Sequence, residues 1–136
     1  MKHVSWGVPL LALAALTACS EDTASPPLIV PNVAGLWDGT YELTTGIVPA
    51  MMTVSQDDRI VGGTIEIVQH LPPSEIIAAI NDFGDVVILI ENGCEEWFGQ
   101  LFVSDGDKRM EGTLEIDRAR CDEGIGEIGI LKVTRP

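Results

Sequence analysis

Few residues in this chain of 136 could take part in catalysis or metal binding, and their spacing in the sequence forms no known catalytic or metal-binding motif. His70 precedes Leu-Pro-Pro with no Ser, Cys or carboxylate fixed beside it, and a lone loop histidine is more often solvated than catalytic. Asp57-Asp58 and Asp105-Gly106-Asp107 lack the alternating ligands and final Glu of an EF-hand and are typical of turns. We therefore expect no catalytic residue, no metal site, no cofactor and no enzyme activity.

A short apolar run near the beginning of the chain, from Val8 to Ala15, is too brief to span a bilayer and has the length of a signal-peptide core. It is followed by Leu16-Thr17-Ala18-Cys19, which resembles the lipobox of bacterial lipoproteins (aliphatic, small, small, Cys). The resemblance implies cleavage before Cys19 and acylation of that residue. The alternative is an ordinary secretory peptide that is cut after Ala18. The residue after the cysteine is Ser20 rather than Asp, and in a Gram-negative cell the family's sorting rule then favours the outer membrane.

The lipobox divides the chain into a signal peptide (1–18), a lipidated Cys19 with its tether (19–31) and a domain (32–136). The tether begins with acidic, Ser- and Pro-rich sequence that cannot bury apolar surface, so we expect it to be extended. Burial of acyl chains contributes about 0.8 kcal/mol per CH₂, so a palmitate-like chain with a diacylglyceryl group holds a protein at a membrane. We expect a lipid-anchored protein of the cell envelope, in contact with the membrane through its N-terminal lipid.

The chain is strongly acidic, with a formal net charge of −13. Removal of residues 1–18 takes away Lys2 and leaves seven Lys and Arg against 21 Asp and Glu, a net charge of −14. Such a charge opposes binding to nucleic acid and to anionic headgroups. It would attract a basic protein partner, although an acidic solvated surface needs no partner at all.

If Cys19 is lipidated, two cysteines remain, Cys94 and Cys121, in an oxidising compartment. We expect one disulfide between them, which would close a loop of about 28 residues and contribute about 3–4 kcal/mol. Neither cysteine has a second Cys or a His nearby, so the spacing does not favour zinc.

A pattern of five residues occurs three times, as Gly39-Thr-Tyr-Glu-Leu, Gly63-Thr-Ile-Glu-Ile and Gly112-Thr-Leu-Glu-Ile. In a strand, each copy would place Gly and two large apolar side chains on one face and Thr and Glu on the other. The glycines are 24 and 49 residues apart, close to one and two steps of a period that fits a β-hairpin. A copy without its Gly-Thr falls at Val86–Ile90.

These repeats and the intervening turn residues predict an all-β fold of eight strands, an antiparallel up-and-down meander closed into a barrel. The predicted strands are 33–44, 50–56, 59–68, 75–81, 85–91, 95–103, 108–117 and 125–134. For 75–81 the alternative is a helical turn that begins at Ser74. In such a meander the loops after odd-numbered strands share one end, so Cys94 and Cys121 should meet there.

The face predicted to line the barrel mixes large side chains with glycines, which permit tight curvature and close approach of strands. An eight-stranded barrel is either filled by its side chains or holds one small ligand. The large inward residues that we take as interior and ligand-binding candidates are Trp37, Tyr41, Ile65, Trp97, Leu101 and Leu114.

Gly35-Leu36-Trp37 at the start of the first strand resembles the Gly-x-Trp signature of the lipocalins and their relatives. The resemblance implies that Trp37 closes one end of the barrel and that a basic residue from the last strand, Arg135 or Lys132, packs over it. The chain departs from the family in lacking its Thr-Asp-Tyr motif and in having no predicted helix after the eighth strand.

Two functions follow as expectations. The first is binding of a small apolar ligand inside a lipocalin-like barrel. The alternative is a protein-binding lipoprotein, such as an inhibitor of a basic hydrolase, which would use charged residues around the two cysteines and the outward Phe98 and Phe102. The charged candidates are Glu95, Glu96, Arg118, Arg120, Asp122 and Glu123.

Overall fold

The computed structural model describes residues 29–93, 95–119 and 127–136, with the backbone alone for 117–119. Over these residues eight antiparallel strands follow one another around a closed barrel, so the predicted fold class is confirmed. The strands are β1 (Gly35–Leu43), β2 (Gly46–Asp57), β3 (Ile60–Ile67), β4 (Leu71–Ile80), β5 (Val86–Asn92), β6 (Glu95–Ser104), β7 (Arg109–Ala119) and β8 (Ile128–Thr134). The lipobox, all three cysteines, Arg120, Asp122 and Glu123 lie outside the described residues. The predictions that concern them therefore stay predictions.

Two strands begin earlier than predicted. In both, the added residues include proline, which the structure accommodates within the strand. β2 begins at Gly46 rather than at 50, because Pro49 lies one residue beyond the last β2–β3 pair (Ala50–Ile67), where a missing N–H removes no ladder bond. β4 begins at Leu71 rather than at 75. Pro72 and Pro73 lie opposite a shift in register of β3, a bulge that accommodates them. Residues 75–80 are strand, so the helical alternative is wrong.

The repeated glycines are points of close strand approach, as predicted. A Cβ on Gly39, Gly63 or Gly112 would overlap a backbone carbonyl oxygen of the neighbouring strand, from Lys132, Thr53 and Gln100 respectively. Gly63 also has a φ of 131°, a conformation that residues with a Cβ rarely adopt. The repeat therefore records the places where the sheet must coil tightly to close.

The barrel has two ends, which we name after their tryptophans. The Trp37 end carries residues 29–34, the turns after β2, β4 and β6, and the C-terminus of β8. The Trp97 end carries the connections after β1, β3, β5 and β7. Glu95, next to position 94, pairs with Ala119, two positions before Cys121. The described ends of β5 and β7 thus lie at the same end of the barrel, as the meander predicted. The disulfide between Cys94 and Cys121, which lie outside the described residues, stays a prediction.

Candidate functional site

The barrel interior is filled by its own side chains. All six interior candidates are buried, at 0% exposed for Trp37, Tyr41, Leu101 and Leu114 and 1% for Ile65 and Trp97. A cavity large enough for a ligand would leave the side chains around it accessible to water, and these are not. The remaining described core is apolar as well, with no buried polar or charged residue. Whether any of the six contacts a ligand stays a prediction.

The Trp37 end is closed by the segment that precedes β1. Trp37 Nε1 donates to the carbonyl oxygen of Val33 at 2.9 Å, and the Gln56 side chain bonds both Val33 N (2.7 Å) and the carbonyl oxygen of Pro31 (2.8 Å). Arg135 lies over the Trp37 ring, 4.8 Å from its centroid, and donates to two carbonyl oxygens of the same segment. Trp37 is thus covered by Arg135 on one face of its ring and held by its indole N–H.

Of the two basic residues that the resemblance implied for this position, Arg135 is therefore the one in place. Lys132 points elsewhere and binds Glu42 at 2.7 Å. The hydrogen bond and the charge of Glu42 raise the pKa of Lys132 above its ordinary value, so Lys132 remains a cation.

The Trp97 end is closed by two aromatic side chains. The rings of Tyr41 and Trp97 meet edge to face, 6.0 Å between centroids, and the Tyr41 ring lies directly against Gly129, where a Cβ would not fit. Tyr41 Oη donates to the carbonyl oxygen of Leu114 at 2.8 Å. Any ligand that entered here would have to displace both aromatic rings.

His70 has a carboxylate partner, contrary to the expectation of an isolated loop histidine. Its Nδ1 lies 3.4 Å from Glu127 Oε1, and its ring meets Tyr41 at 6.2 Å between centroids. Within the described residues Glu127 Oε1 is shielded from solvent and accepts no hydrogen bond of good geometry. The pair joins the β3–β4 connection to the residue before β8. The residue in contact with the pair that carries a hydroxyl is Tyr41, and this hydroxyl is donated to the Leu114 carbonyl oxygen. The described geometry supports a tie between these two segments.

Tyr41 should make the free energy of unfolding depend on pH in the alkaline range. Burial, with a smaller contribution from the charge of Glu127, raises the pKa of its hydroxyl above the ordinary value near 10. Above about pH 10 the unfolded chain loses this proton and the folded chain keeps it, so the free energy of unfolding must fall as pH rises. Tyr41→Phe should remove this part of the fall. It should also cost about 1–3 kcal/mol at neutral pH, because the buried Leu114 carbonyl loses a donor.

Urea unfolding of the wild-type protein and of Tyr41→Phe, each measured below and above about pH 10, tests this prediction. Parallel loss of stability in both proteins with increasing pH would show that Tyr41 is not the group responsible.

The predicted charged residues at the Trp97 end are only partly described. Glu95 Oε2 accepts a hydrogen bond from Trp97 Nε1 at 2.8 Å, so this carboxylate helps to hold the closing tryptophan. Glu96 lies across the ladder from Arg118, of which only the backbone is described. The structure thus gives Glu95 a packing role that the sequence did not indicate, and a partner site at this end stays a prediction.

The outer surface carries many of the large apolar side chains that the core does not use. Phe98 and Phe102 point outward, 44% and 55% exposed, as predicted. Among the described residues the other well-exposed large apolar side chains on strands are Leu36, Ile47, Met51, Ile60, Ile77, Ile128 and Ile130. They are distributed over β1, β2, β3, β4, β6 and β8, so any recognition surface has to be sought where several of them lie together.

One part of this surface is concave, and we call it the β1–β3 groove. It has a volume of about 270 Å³ and is lined on the outside by Leu36, Asp38, Met51, Thr53, Thr64 and Glu66. Because Asp38 and Glu66 are the cross-strand neighbours of Met51 on its two sides, an exposed thioether lies between two carboxylates. The sequence showed only alternating outward residues; the register brings these six together.

Among the described residues, no group of three or more His, Cys, Asp or Glu side chains is placed to hold a metal ion. The same residues include no helix long and apolar enough to cross a membrane.

Comparison of the chain with protein-family models, curated proteins and solved structures found no match.

Proposed function

We propose that this chain is a non-enzymatic lipoprotein of the cell envelope whose lipocalin-like barrel is a solid scaffold for binding a protein partner. The observation that carries the proposal is the filled interior: the six candidate lining side chains are at most 1% exposed. An eight-stranded barrel that is filled in this way has its outer surface and ends left for recognition. The exposed apolar side chains on the strands provide such a surface.

The lipid anchor supports a particular orientation. The described chain enters the barrel at the Trp37 end, so a tether from Cys19 would reach the domain there. The sides of the barrel and the Trp97 end would then be accessible to proteins of the envelope. The net charge of −13 opposes close contact with anionic headgroups and favours a basic partner.

A small apolar ligand inside the barrel is the second candidate, and the aromatic closure of the Trp97 end is what favours it. Among the described residues, Tyr41 and Trp97 close this end with their side chains, 6.0 Å apart, and side-chain rotation is cheaper than removal of the segment that closes the Trp37 end. Binding of such a ligand would cost the free energy of the packing that both rings lose, so we rank it below a protein partner.

Photo-crosslinking in cells separates the two candidates. A photoreactive amino acid replaces one outward residue at a time, at Met51, Ile77, Phe98 or Ile130, which lie on four different strands. We expect a protein adduct from positions on one side of the barrel and none from the others. Absence of protein adducts from every position, together with a lipid that co-purifies with the barrel, would overturn the proposal in favour of the interior ligand.

Cys19→Ser should release the protein from the membrane. Without acyl chains the burial energy of about 0.8 kcal/mol per CH₂ is lost, and the negative net charge of the chain opposes contact with anionic headgroups. Fractionation of the envelope and the intact mass of the purified protein check this. Membrane retention of the variant, or a wild-type mass without acyl groups, would contradict it.

Cys94→Ser should lower the free energy of unfolding by about 3–4 kcal/mol, the contribution of a disulfide that closes a loop of this length. Reduction of the wild-type protein should cause the same loss, and Cys19→Ser should cause none. Free-thiol alkylation at both Cys94 and Cys121 in the unreduced protein would contradict the pairing.

A further inference from the structure

We propose that the β1–β3 groove binds a cationic, partly apolar peptide segment of the partner. This inference rests on the proposed function and adds to it the place of contact and the chemistry of the ligand.

The groove combines apolar contact area with negative charge. Leu36 and Met51 are 67% and 47% exposed, and they project from adjacent strands on the outer face. Thr53 and Thr64 pair across β2 and β3 and provide hydroxyl groups next to them. Methionine adapts its shape to a partner, so Met51 suits a contact with a side chain that is not rigidly defined.

The carboxylates of the groove are not neutralised within the described part of the barrel. Neither Asp38 nor Glu66 lies within an ion-pair distance of a described cation, and Glu75 on β4 adds a third carboxylate across from Thr64. The described cations that are nearest along the sheet have other partners. Lys132 binds Glu42 at 2.7 Å, and Arg135 lies over Trp37.

The outer face of β6–β8 is different, although it is also apolar. There Glu111 lies 3.5 Å from an Arg109 nitrogen and 3.9 Å from Lys132 Nζ, so its charge is balanced locally. Phe102 and Ile130 line the same depression as Glu111, so the carboxylate of that depression already has cationic partners. A cationic ligand would therefore favour the β1–β3 groove.

The charge of the groove also excludes other occupants. A second copy of this acidic chain, an anionic lipid surface or a nucleic acid would bring negative charge against Asp38 and Glu66. A segment in which Lys or Arg alternates with apolar residues would place its cations at the two carboxylates and its apolar side chains on Met51 and Leu36. Charge complementarity of this kind raises the association rate and fixes the orientation of the ligand.

The test uses the full chain with Cys19→Ser, which keeps it free of lipid. The probes are a fluorescent synthetic peptide that combines Lys and Leu and a matched peptide of Glu and Leu. We expect saturable binding of the Lys peptide alone, and amide chemical-shift changes that centre on Asp38, Met51 and Glu66. Asp38→Asn with Glu66→Gln should weaken binding about tenfold, since each exposed ion pair contributes modestly.

The control pair Asp57→Asn with Glu91→Gln changes the net charge equally and lies outside the groove; it should alter affinity by less than about twofold. Leu36→Ser should weaken binding, whereas Ile128→Ser on β8 should not. Equal weakening by both charge pairs would mean attraction by net charge alone and would overturn the groove as the site. Shifts confined to the Trp97 end, or no binding of the Lys peptide, would overturn it as well. The proposed function would survive those results if crosslinking still finds a protein partner, so the two failures are distinguishable.

Discussion

Trp37→Ala should lower the free energy of unfolding by about 3–5 kcal/mol, the usual cost of removing a fully buried tryptophan from a core. The indole is 0% exposed, so its loss leaves a cavity at the end of the barrel. It also removes the hydrogen bond to Val33 and the surface on which Arg135 lies. The segment that closes this end should loosen as well. One of its carbonyl oxygens accepts the indole N–H, and two others accept hydrogen bonds from Arg135, which lies on the ring.

Leu36→Ala is the matched control, since its side chain is next in sequence and 67% exposed. We expect it to change stability by less than about 0.5 kcal/mol. Urea unfolding measures both variants. Similar stabilities for Trp37→Ala and Leu36→Ala would contradict the role given to Trp37.

Gly63→Val should cost about 4 kcal/mol or more, in the range that only severe core defects reach. A Cβ at this position would overlap the carbonyl oxygen of Thr53 on the neighbouring strand, and its backbone has a φ of 131°. Neither the neighbouring backbone nor a β-branched residue can give way, so β2 and β3 would separate at the point where the sheet coils.

The preceding glycine provides the control. At Gly62 an added Cβ would lie 3.4 Å from Ser55 Oγ, a side-chain atom that can move. Gly62→Val should therefore fold with nearly unchanged stability, and β-branched residues suit an exposed strand. Circular dichroism compares the secondary structure of the two variants, and thermal unfolding compares their stability. A cooperative transition of Gly63→Val near that of Gly62→Val would show that the strand approach is not constrained as described.

The fold was predictable because its information is local and repeated. Alternating faces, turn residues and three copies of one glycine motif each indicate strands, and amphipathic strands must close or pair to bury one face. The topological rule placed the loops after the fifth and seventh strands at one end, and the structure shows there the pair of Glu95 and Ala119. The early starts of β2 and β4 were missed because proline reads as a boundary, and only the pairing partner shows that Pro49 and Pro72 interrupt no ladder bond.

The candidate site was less predictable because it depends on register and volume. Asp38, Met51 and Glu66 belong to three strands, and one step in register would separate them. His70 and Glu127 are far apart in sequence, yet the same loop rule that was applied to the cysteines would have placed both at the Trp97 end. Whether the barrel is filled depends on how the summed volume of the inward side chains compares with the space that the barrel radius leaves. The strand pattern does not give that radius.

The proposed function requires a barrel with a solid interior that recognises its partner on the outside. Titration of the Cys19→Ser chain with cis-parinaric acid, which accepts excitation energy from tryptophan, tests it most directly. We expect no saturable binding and unchanged emission from Trp37 and Trp97, since both rings are packed against neighbouring side chains. Saturable one-to-one binding with quenching of these tryptophans would contradict it and place the ligand inside the barrel.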